Sequence, residues 1–392
     1  MIVELLQLWK IVSEGVFYYL PLHMMLFVFL PLILRGVYSR KYVPFHSLKR
    51  KVNVSVIIPE YGEDLNIFER CLASVARNNP DEILVVHDDG RKEVVELAER
   101  YGAKVYSSPK RVGKRRALVQ GWIKASGEII VHVDSDVVLH DGAIREIVKP
   151  FDDEEVVGVQ GKNLVNRTHS WFAWRLSKLI ELNRDLNNKA LNGHLVVVDG
   201  RFNAWRRNWL LKHKTQFLGE RFLGLPCEIG DDRFLTARAN SEGYKTVYQE
   251  TAVAETASPT TYIKFVKQQL RWRRSGYKAF FKDFYTGVAS KVSWLYLCFQ
   301  ICLYTTPISF TFAIIHDVLF APPVLLYPIW MVIPIAIIGS SIISLVRRLA
   351  VGFTEIGVAE FFALGATAIF IMYPISLYAL LTIRKQTTWG TR

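Results

Sequence analysis

Acidic residues close three short apolar runs: Pro59-Glu60-Tyr61-Gly62-Glu63-Asp64, Asp88-Asp89-Gly90 and Asp134-Ser135-Asp136. Carboxylates brought together repel one another and lose hydration, a costly arrangement unless a cation or donor groups sit among them. A divalent metal is the economical resolution. All-oxygen ligands point to Mg2+ or Mn2+, which typically keep part of their shell for a substrate diphosphate. Gly113-Lys114-Arg115-Arg116 opens a helical stretch after a further apolar run, where backbone donors and cations suit phosphate oxygens. Taken singly, a basic helix start is a common solvated feature, and any two acids after a strand match Asp-x-Asp. Asp89, Asp134, Asp136 and the basic cluster together are much more specific. No Gly-x-Gly-x-x-Gly turn follows the first run, and no Gly-x-x-x-x-Gly-Lys-Ser/Thr occurs, so dinucleotide and P-loop readings lose their main support.

The elements that must position these residues alternate. Residues 52–59, 83–87, 104–106 and 129–133 are β-branched runs, and residues 65–78, 92–101 and 114–125 space their apolar side chains as helices do. Strand, helix, strand, helix implies a parallel α/β sheet, whose ligands bind beyond the carboxyl ends of the strands, where the acidic clusters lie.

With 392 residues, 51% hydrophobic and 22% charged, the chain has ample core, and disorder and collagen-like structure are excluded. The net charge of +13 by itself does not choose between nucleic acid, a membrane surface and a phosphorylated substrate. Its placement is more telling. From residue 292 to 346 the only formally charged residue is Asp317, so a membrane part is expected to begin near residue 291. Residues 16–34 form an apolar run followed by Arg35, Arg40, Lys41, Lys49, Arg50 and Lys51, which predicts an anchor with the next domain cytoplasmic. Residues 294–320 and 324–346 are expected to run out and back. Residues 357–381, flanked by cations at both ends and interrupted by Pro374, are expected to bend there and return as a re-entrant pair, which puts the carboxyl terminus in the cytoplasm; a plain fourth span with an external tail is the alternative. Residues 260–285 hold seven cations against Asp283, interleaved with aromatics, as in a basic helix lying on a bilayer. The expected organisation is a transmembrane helix and basic linker (1–50), a catalytic domain (51–250), interfacial helices (251–290), and further membrane segments with a gating tail (291–392). Four scattered cysteines argue against a disulfide framework or structural zinc.

Read together, Ile58-Pro59-Glu60-Tyr61-Gly62-Glu63-Asp64, Asp88-Asp89-Gly90, Gly113-Lys114-Arg115, Asp134-Ser135-Asp136, Gly230-Asp231-Asp232-Arg233 and Gln268-Gln269-Leu270-Arg271-Trp272 resemble the processive, membrane-embedded glycosyltransferases of family 2. Arg221-Phe222-Leu223-Gly224, Cys227 and Trp389-Gly390-Thr391-Arg392 are similar to the hyaluronan and chitooligosaccharide synthases in particular. The resemblance implies a Rossmann-like GT-A domain, a UDP-sugar donor, a polysaccharide acceptor, membrane lipid as surroundings and no nucleic acid. Tyr61 would stack on uracil, Glu63 would bond the base edge or ribose, and Asp88 and Asp89 would hold the uridine. Lys114 and Arg115 would bind the diphosphate, Asp134 and Asp136 would meet nucleotide and metal, and Asp232 would be the general base, with Asp231 supporting its loop on the acceptor side. Gln268, Arg271 and Trp272 would lie beneath the acceptor sugar and beside the diphosphate. Cys227 would sit on the acceptor-side loop, and Trp389 and Arg392 would close over the nucleotide.

Two departures stand out. Val198-Asp199-Gly200-Arg201-Phe202 replaces the Gly-Gly-Pro or Ser-Gly-Pro usual near the acceptor in hyaluronan synthases, and the chain stops at Arg392, where those enzymes continue. The expected activity is therefore inverting, processive β-transfer from UDP-GlcNAc, with or without UDP-GlcA, at the plasma membrane. Its own spans, a homo-oligomer or another protein remain alternatives for the polymer path. Transfer of one sugar to a polyprenyl phosphate and a non-catalytic membrane receptor are the competing classes; the Gln268 to Trp272 motif opposes the first, and the full set of acidic residues the second.

Overall fold

The computed structural model describes residues 19–88, 90–108, 111–320 and 358–385. Its centre is an eight-stranded mixed sheet. The first four strands, β1 (Val54–Glu60), β2 (Glu82–His87), β3 (Lys104–Ser107) and β4 (Ile129–Val133), lie in the order β3-β2-β1-β4 and are all parallel. β1, β2 and β4 are buried along their whole length, which is why they read as continuous apolar runs rather than alternating ones. Between them run α2 (Leu65–Arg77), α3 (Lys92–Arg100) and α4 (Lys114–Lys124), after α1 (Leu30–Ser39), which continues helical turns from Tyr19. The Asp64 side chain caps α2 by accepting from the Asn66 and Ile67 amides, and Phe68, Cys71, Leu72 and Val75 form its buried stripe.

The pairing of β1 with β4 ends at Ile57 opposite His132. Beyond that point Pro59 has no amide to offer β4, and the two strands part from each other before their acidic loops while β1 stays paired with β2 to Glu60. The second half of the sheet follows no parallel rule. β5 (Val137–Leu139), β6 (Val156–Asn166), β7 (Phe202–Arg206) and β10 (Lys245–Ala257) complete the order β4-β7-β6-β10-β5, with β7 antiparallel to both neighbours and β10 antiparallel to β5. This mixed half was not anticipated from the apolar runs, and β10 carries the sheet past the expected boundary at residue 250. A short hairpin, β8 (Arg221–Phe222) and β9 (Leu225–Pro226), stands apart.

The remaining helices are α5 (Ala143–Ile147), α6 (Trp171–Ala190), α7 (Arg207–Leu218), α8 (Asp231–Ser241), α9 (Tyr262–Tyr285), α10 (Trp294–Phe320) and α11 (Val358–Leu381). α9 is the basic aromatic helix anticipated over residues 260–285. Trp294–His316 within α10 is long and apolar enough to cross a membrane by length and composition. α11 corrects an expectation: it runs through Pro374 without turning back. Packing on both sides of the proline holds it as one helix. Met372 and Ile375 lie against Ala173, Leu176 and Phe265, and Ala379 lies against Tyr277 and Tyr304. The expected span at 324–346 lies outside the described residues.

Candidate active site

The loop after β1 is set by a buried carboxylate. Glu60 has no exposed surface; its Oε2 lies 2.6 Å from His87 Nδ1, and its Oε1 accepts from Arg91 Nη2 at 2.7 Å and from the Glu63 amide at 2.9 Å. Arg91 also donates to the Glu63 carbonyl at 3.0 Å. Tyr61 and Glu63 are thereby held at the strand end, with the Arg111 guanidinium 4.3 Å over the Tyr61 ring and Ser135 Oγ 3.5 Å from Glu63 Oε2. Gly90, Lys92, Glu96, Ser107 and Ser108 line an adjoining hollow. Asp89 lies outside the described residues.

Two expected donor ligands take other places. Asp88 is fully buried, and its oxygens accept from the Val112 amide at 2.7 Å and the Gly113 amide at 2.9 Å. It clamps the loop that starts α4 instead of facing the hollow. Arg115 likewise points into the protein, giving Nη1 to the Phe217 carbonyl at 2.7 Å and Nη2 to Glu220 at 2.5 Å and the Ile229 carbonyl at 3.2 Å. Its terminal donors are spent on the loop before α8 rather than held for the diphosphate expected of it.

Lys114 joins the two halves of the sheet. Its Nζ is 2.7 Å from Asp134 Oδ1 at the end of β4 and 3.5 Å from Asp231 Oδ2 at the start of α8. Although burial opposes it, the charges of Asp134 and Asp231 hold the Lys114 ammonium above its ordinary range. Burial pushes Asp134 up despite Lys114, with Asp136 and Asp231 adding to the rise. A Cβ placed on Gly200 would stand 3.4 Å from Lys114 Nζ, 3.5 Å from Asp231 Oδ2 and 3.8 Å from Asp232 Cβ, so Gly200 packs beside the Lys114–Asp231 pair.

At the start of α8, Gly230 adopts φ +84°, and a Cβ there would come within 2.3 Å of Ser275 Oγ on α9. A glycine is required on both counts. Burial raises Asp231, but Lys114 and Arg115 outweigh it and hold that carboxyl below its usual value. Asp232 goes the other way. Burial first, then the charges of Asp231 and Asp199, push it up to about 6, although the Arg233 amide donates to its Oδ1 at 2.8 Å. Two adjacent carboxyls are thus split into a charged partner of lysine and a group poised near neutrality.

The third component comes from α9. Gln268 and Trp272 are one turn apart and share a face, with Arg271 beside them. The Arg184 guanidinium from α6 lies 4.5 Å over the Trp272 ring, and that of Arg201 lies 5.9 Å from it. Glu181, Arg184, Asp199, Gly200, Arg201 and Arg111 were not singled out for any role from sequence. The unusual Asp199-Gly200-Arg201 turn was noticed as a departure, but its partners on α6 carried no recognisable spacing. Cys227 is buried within the 220–229 loop, where burial pushes its thiol up. Trp389 and Arg392 lie outside the described residues.

Asp134 and Asp136 offer hard carboxylate oxygens on one tight turn, with Asp136 9% exposed and its Oδ2 3.5 Å from Thr256 Oγ. Among the described residues no cluster of three or more His, Cys, Asp or Glu side chains could hold a metal. Two carboxylates fit a hard divalent ion whose other positions belong to diphosphate and water.

Crossing parallel and mixed strands with acidic strand ends define a GT-A-type glycosyltransferase fold. A mannosyltransferase from Pyrobaculum calidifontis, solved with GDP-Man and Mn2+, shares this fold at a TM-score of 0.60 over 93% of this chain and 96% of its own, at 17% identity. The family described as glycosyltransferase like family 2 matches residues 52–275, and the chain belongs to that family. It is similar to the hyaluronan synthase of Streptococcus pyogenes, 29% identical over 92% of this chain and 88% of that one. It is also similar to an N-acetylglucosaminyltransferase of Rhizobium meliloti, 31% identical over 57% of this chain and 56% of that one. The protein is a glycosyltransferase related to both.

Proposed function

We propose that the chain is a processive, inverting β-glycosyltransferase that uses UDP-GlcNAc, together with UDP-GlcA, to extend a hyaluronan-like polymer at the inner face of the plasma membrane. The single observation that carries the reading is the Lys114 contact, which brings Asp134 and Asp231 together, with Gly200 and Asp232 close by. Tyr61, Glu63 and Asp89 hold the uridine. Lys114 binds the diphosphate and balances its growing charge as the sugar leaves. Asp134 and Asp136 would hold Mg2+ or Mn2+, which when bound neutralises charge on the departing UDP. Asp232 takes the proton from the acceptor hydroxyl as its oxygen attacks the anomeric carbon, and a carboxyl near 6 is largely ionised for that task at neutral pH. The new bond forms as the bond to the diphosphate breaks, which inverts the anomeric centre. Trp272 presents an apolar ring to the acceptor sugar, Gln268 and Arg271 orient the same end, Asp231 keeps Lys114 in place, Cys227 packs the acceptor-side loop, and Trp389 and Arg392 cover the bound nucleotide.

The helix Trp294–His316 supports a membrane setting, with residues 16–34 and 324–346 as the other spans of a multi-pass anchor around a cytoplasmic catalytic domain, and with α11 packed on α6 and α9 so that the tail after it stays on the cytoplasmic side. The similarity to an N-acetylglucosaminyltransferase, together with the Asp199-Gly200-Arg201 departure, favours a second reading: a chitooligosaccharide synthase using UDP-GlcNAc alone. The purified protein given UDP-GlcNAc, then UDP-GlcNAc with UDP-GlcA, separates the two. Polymer that needs both donors is the expected result; polymer from the first alone selects the second reading. Release of UDP from neither donor overturns both.

A further inference from the structure

Four charged side chains from two distant segments meet behind Trp272. Arg184 Nη1 on α6 donates to Asp199 Oδ2 at 2.7 Å and to Glu181 Oε1 at 3.1 Å. Arg201 donates through Nε to Asp199 Oδ1 at 2.8 Å, and through Nη2 to Asp199 Oδ2 at 2.8 Å and to both Glu181 oxygens at 3.0 Å. Two cations and two carboxylates close a neutral, largely buried ring of bonds, the kind of arrangement in which every member holds the others in one geometry. The ring is tied to the sheet through the Asp199 amide, which donates to Gln160 Oε1 at 3.1 Å, and through Asn203 Nδ2, which donates to the Asp199 carbonyl at 2.8 Å. The Asp134 amide donates to the Arg201 carbonyl at 3.0 Å. The outward product of this construction is a guanidinium laid on the Trp272 ring at 4.5 Å.

We propose that Arg184, fixed by Glu181, Asp199 and Arg201, is a positioning residue for the acceptor: it holds the Trp272 indole in the orientation on which the acceptor sugar stacks. The inference rests on the reading of Trp272 as the acceptor platform and adds the residues that set it. A guanidinium over an indole face restricts the ring and polarises it, whereas an indole without that partner samples other rotamers. Arg184 and Glu181 stand apart from donor recognition, because neither bonds Tyr61, Glu63, Lys114 or Asp134 in the hydrogen bonds described above. The residues that replace the usual Gly-Gly-Pro or Ser-Gly-Pro turn, Asp199 and Arg201, are the ones recruited to build the support.

The test uses the full-length protein in lipid nanodiscs with UDP-GlcNAc, with and without an added oligosaccharide acceptor ending in N-acetylglucosamine. For Arg184→Ala the acceptor KM rises on the order of tenfold, while UDP affinity and donor hydrolysis to water stay within about twofold of the unaltered protein. Arg184→Lys, which keeps a cation over the ring, recovers part of the loss. Adding Arg184→Ala to Trp272→Ala costs nothing further, because the first residue acts only through the second. Equal losses in hydrolysis and transfer, an unmoved acceptor KM, or full additivity with Trp272→Ala overturns the positioning role. If Arg184→Ala does not fold, Glu181→Gln, which keeps one accepting oxygen, is read in the same way. Unaltered protein that fails to release UDP from UDP-GlcNAc overturns the donor reading itself, a different result from any of these.

Discussion

The two halves of the sheet are built differently. Around β1, β2 and β4 the site residues follow their strands directly, so a short apolar run and the polar residues after it form one local unit. Around β7 and α8 the site is composed from α6, the 199–201 turn, the start of α8 and the middle of α9, four segments that are separate in sequence. In the proposed reading the first arrangement serves a ligand that many proteins share, a nucleoside diphosphate. The second is a composite surface whose shape depends on packing, which suits the more variable acceptor. Lys114 stands at the seam between them.

Asp232→Asn breaks the acceptor half alone. Transfer falls by about a thousandfold or more while UDP binding, followed calorimetrically, is retained, since a general base typically contributes factors of that order. Near-normal polymer synthesis by this variant refutes the base assignment. Lys114→Gln removes the seam, leaving Asp134 and Asp231 facing each other across a buried gap. UDP affinity and transfer should both drop by about a hundredfold, and stability should drop as well, because an uncompensated buried carboxylate is expensive.

The elevated Asp232 carboxyl sharpens the comparison further. A base must be ionised, so transfer falls about tenfold for each pH unit below 6, whereas UDP binding does not share that limb. The linked effect on stability has a definite sign. The folded-state value of about 6 lies above the ordinary 3.8, so burying Asp232 costs nothing below 3.8, and the penalty grows until it is complete above 6. Asp232→Asn is therefore expected to melt higher than the unaltered protein at pH 8 and at about the same temperature at pH 3.5. A melting point at pH 8 equal to or below that of the unaltered protein contradicts the burial cause. The smallest effect is reserved for Cys227→Ala, which removes a buried thiol from the edge of the acceptor loop. Transfer should stay within about threefold, with a modest loss of stability; a loss of acceptor affinity without destabilisation would instead place the thiol at the sugar.

Much of the donor half is legible in the order of residues alone. β-branched runs, helical spacing and acidic strand ends each act over a few neighbouring residues, and those signals located β1 to β4, α2 to α4, and Lys114 at the start of its helix. Legibility failed where one residue type admits two partners. Asp88 and Arg115 look like ligands for nucleotide and phosphate, yet Asp88 is satisfied by the Val112 and Gly113 amides, and Arg115 by the Phe217 and Ile229 carbonyls and Glu220. Both still serve the site, by fixing the loop before Lys114 and the loop before Asp231. Pro374 misled for a related reason. Its local tendency to break a helix is weaker than the packing of Met372, Ile375 and Ala379 on either side.

The order of residues along the chain determined the kind of protein this is: a sheet with carboxylates at its rim, a basic aromatic helix and an apolar span, all properties that neighbouring residues confer on one another. Only the folded chain decided which charges pair. An ion pair or a ring contact is chosen by three-dimensional proximity and by the cost of leaving a buried charge alone, so Arg184 found Asp199 and Trp272, and Lys114 found Asp231, through contacts that no local pattern encodes.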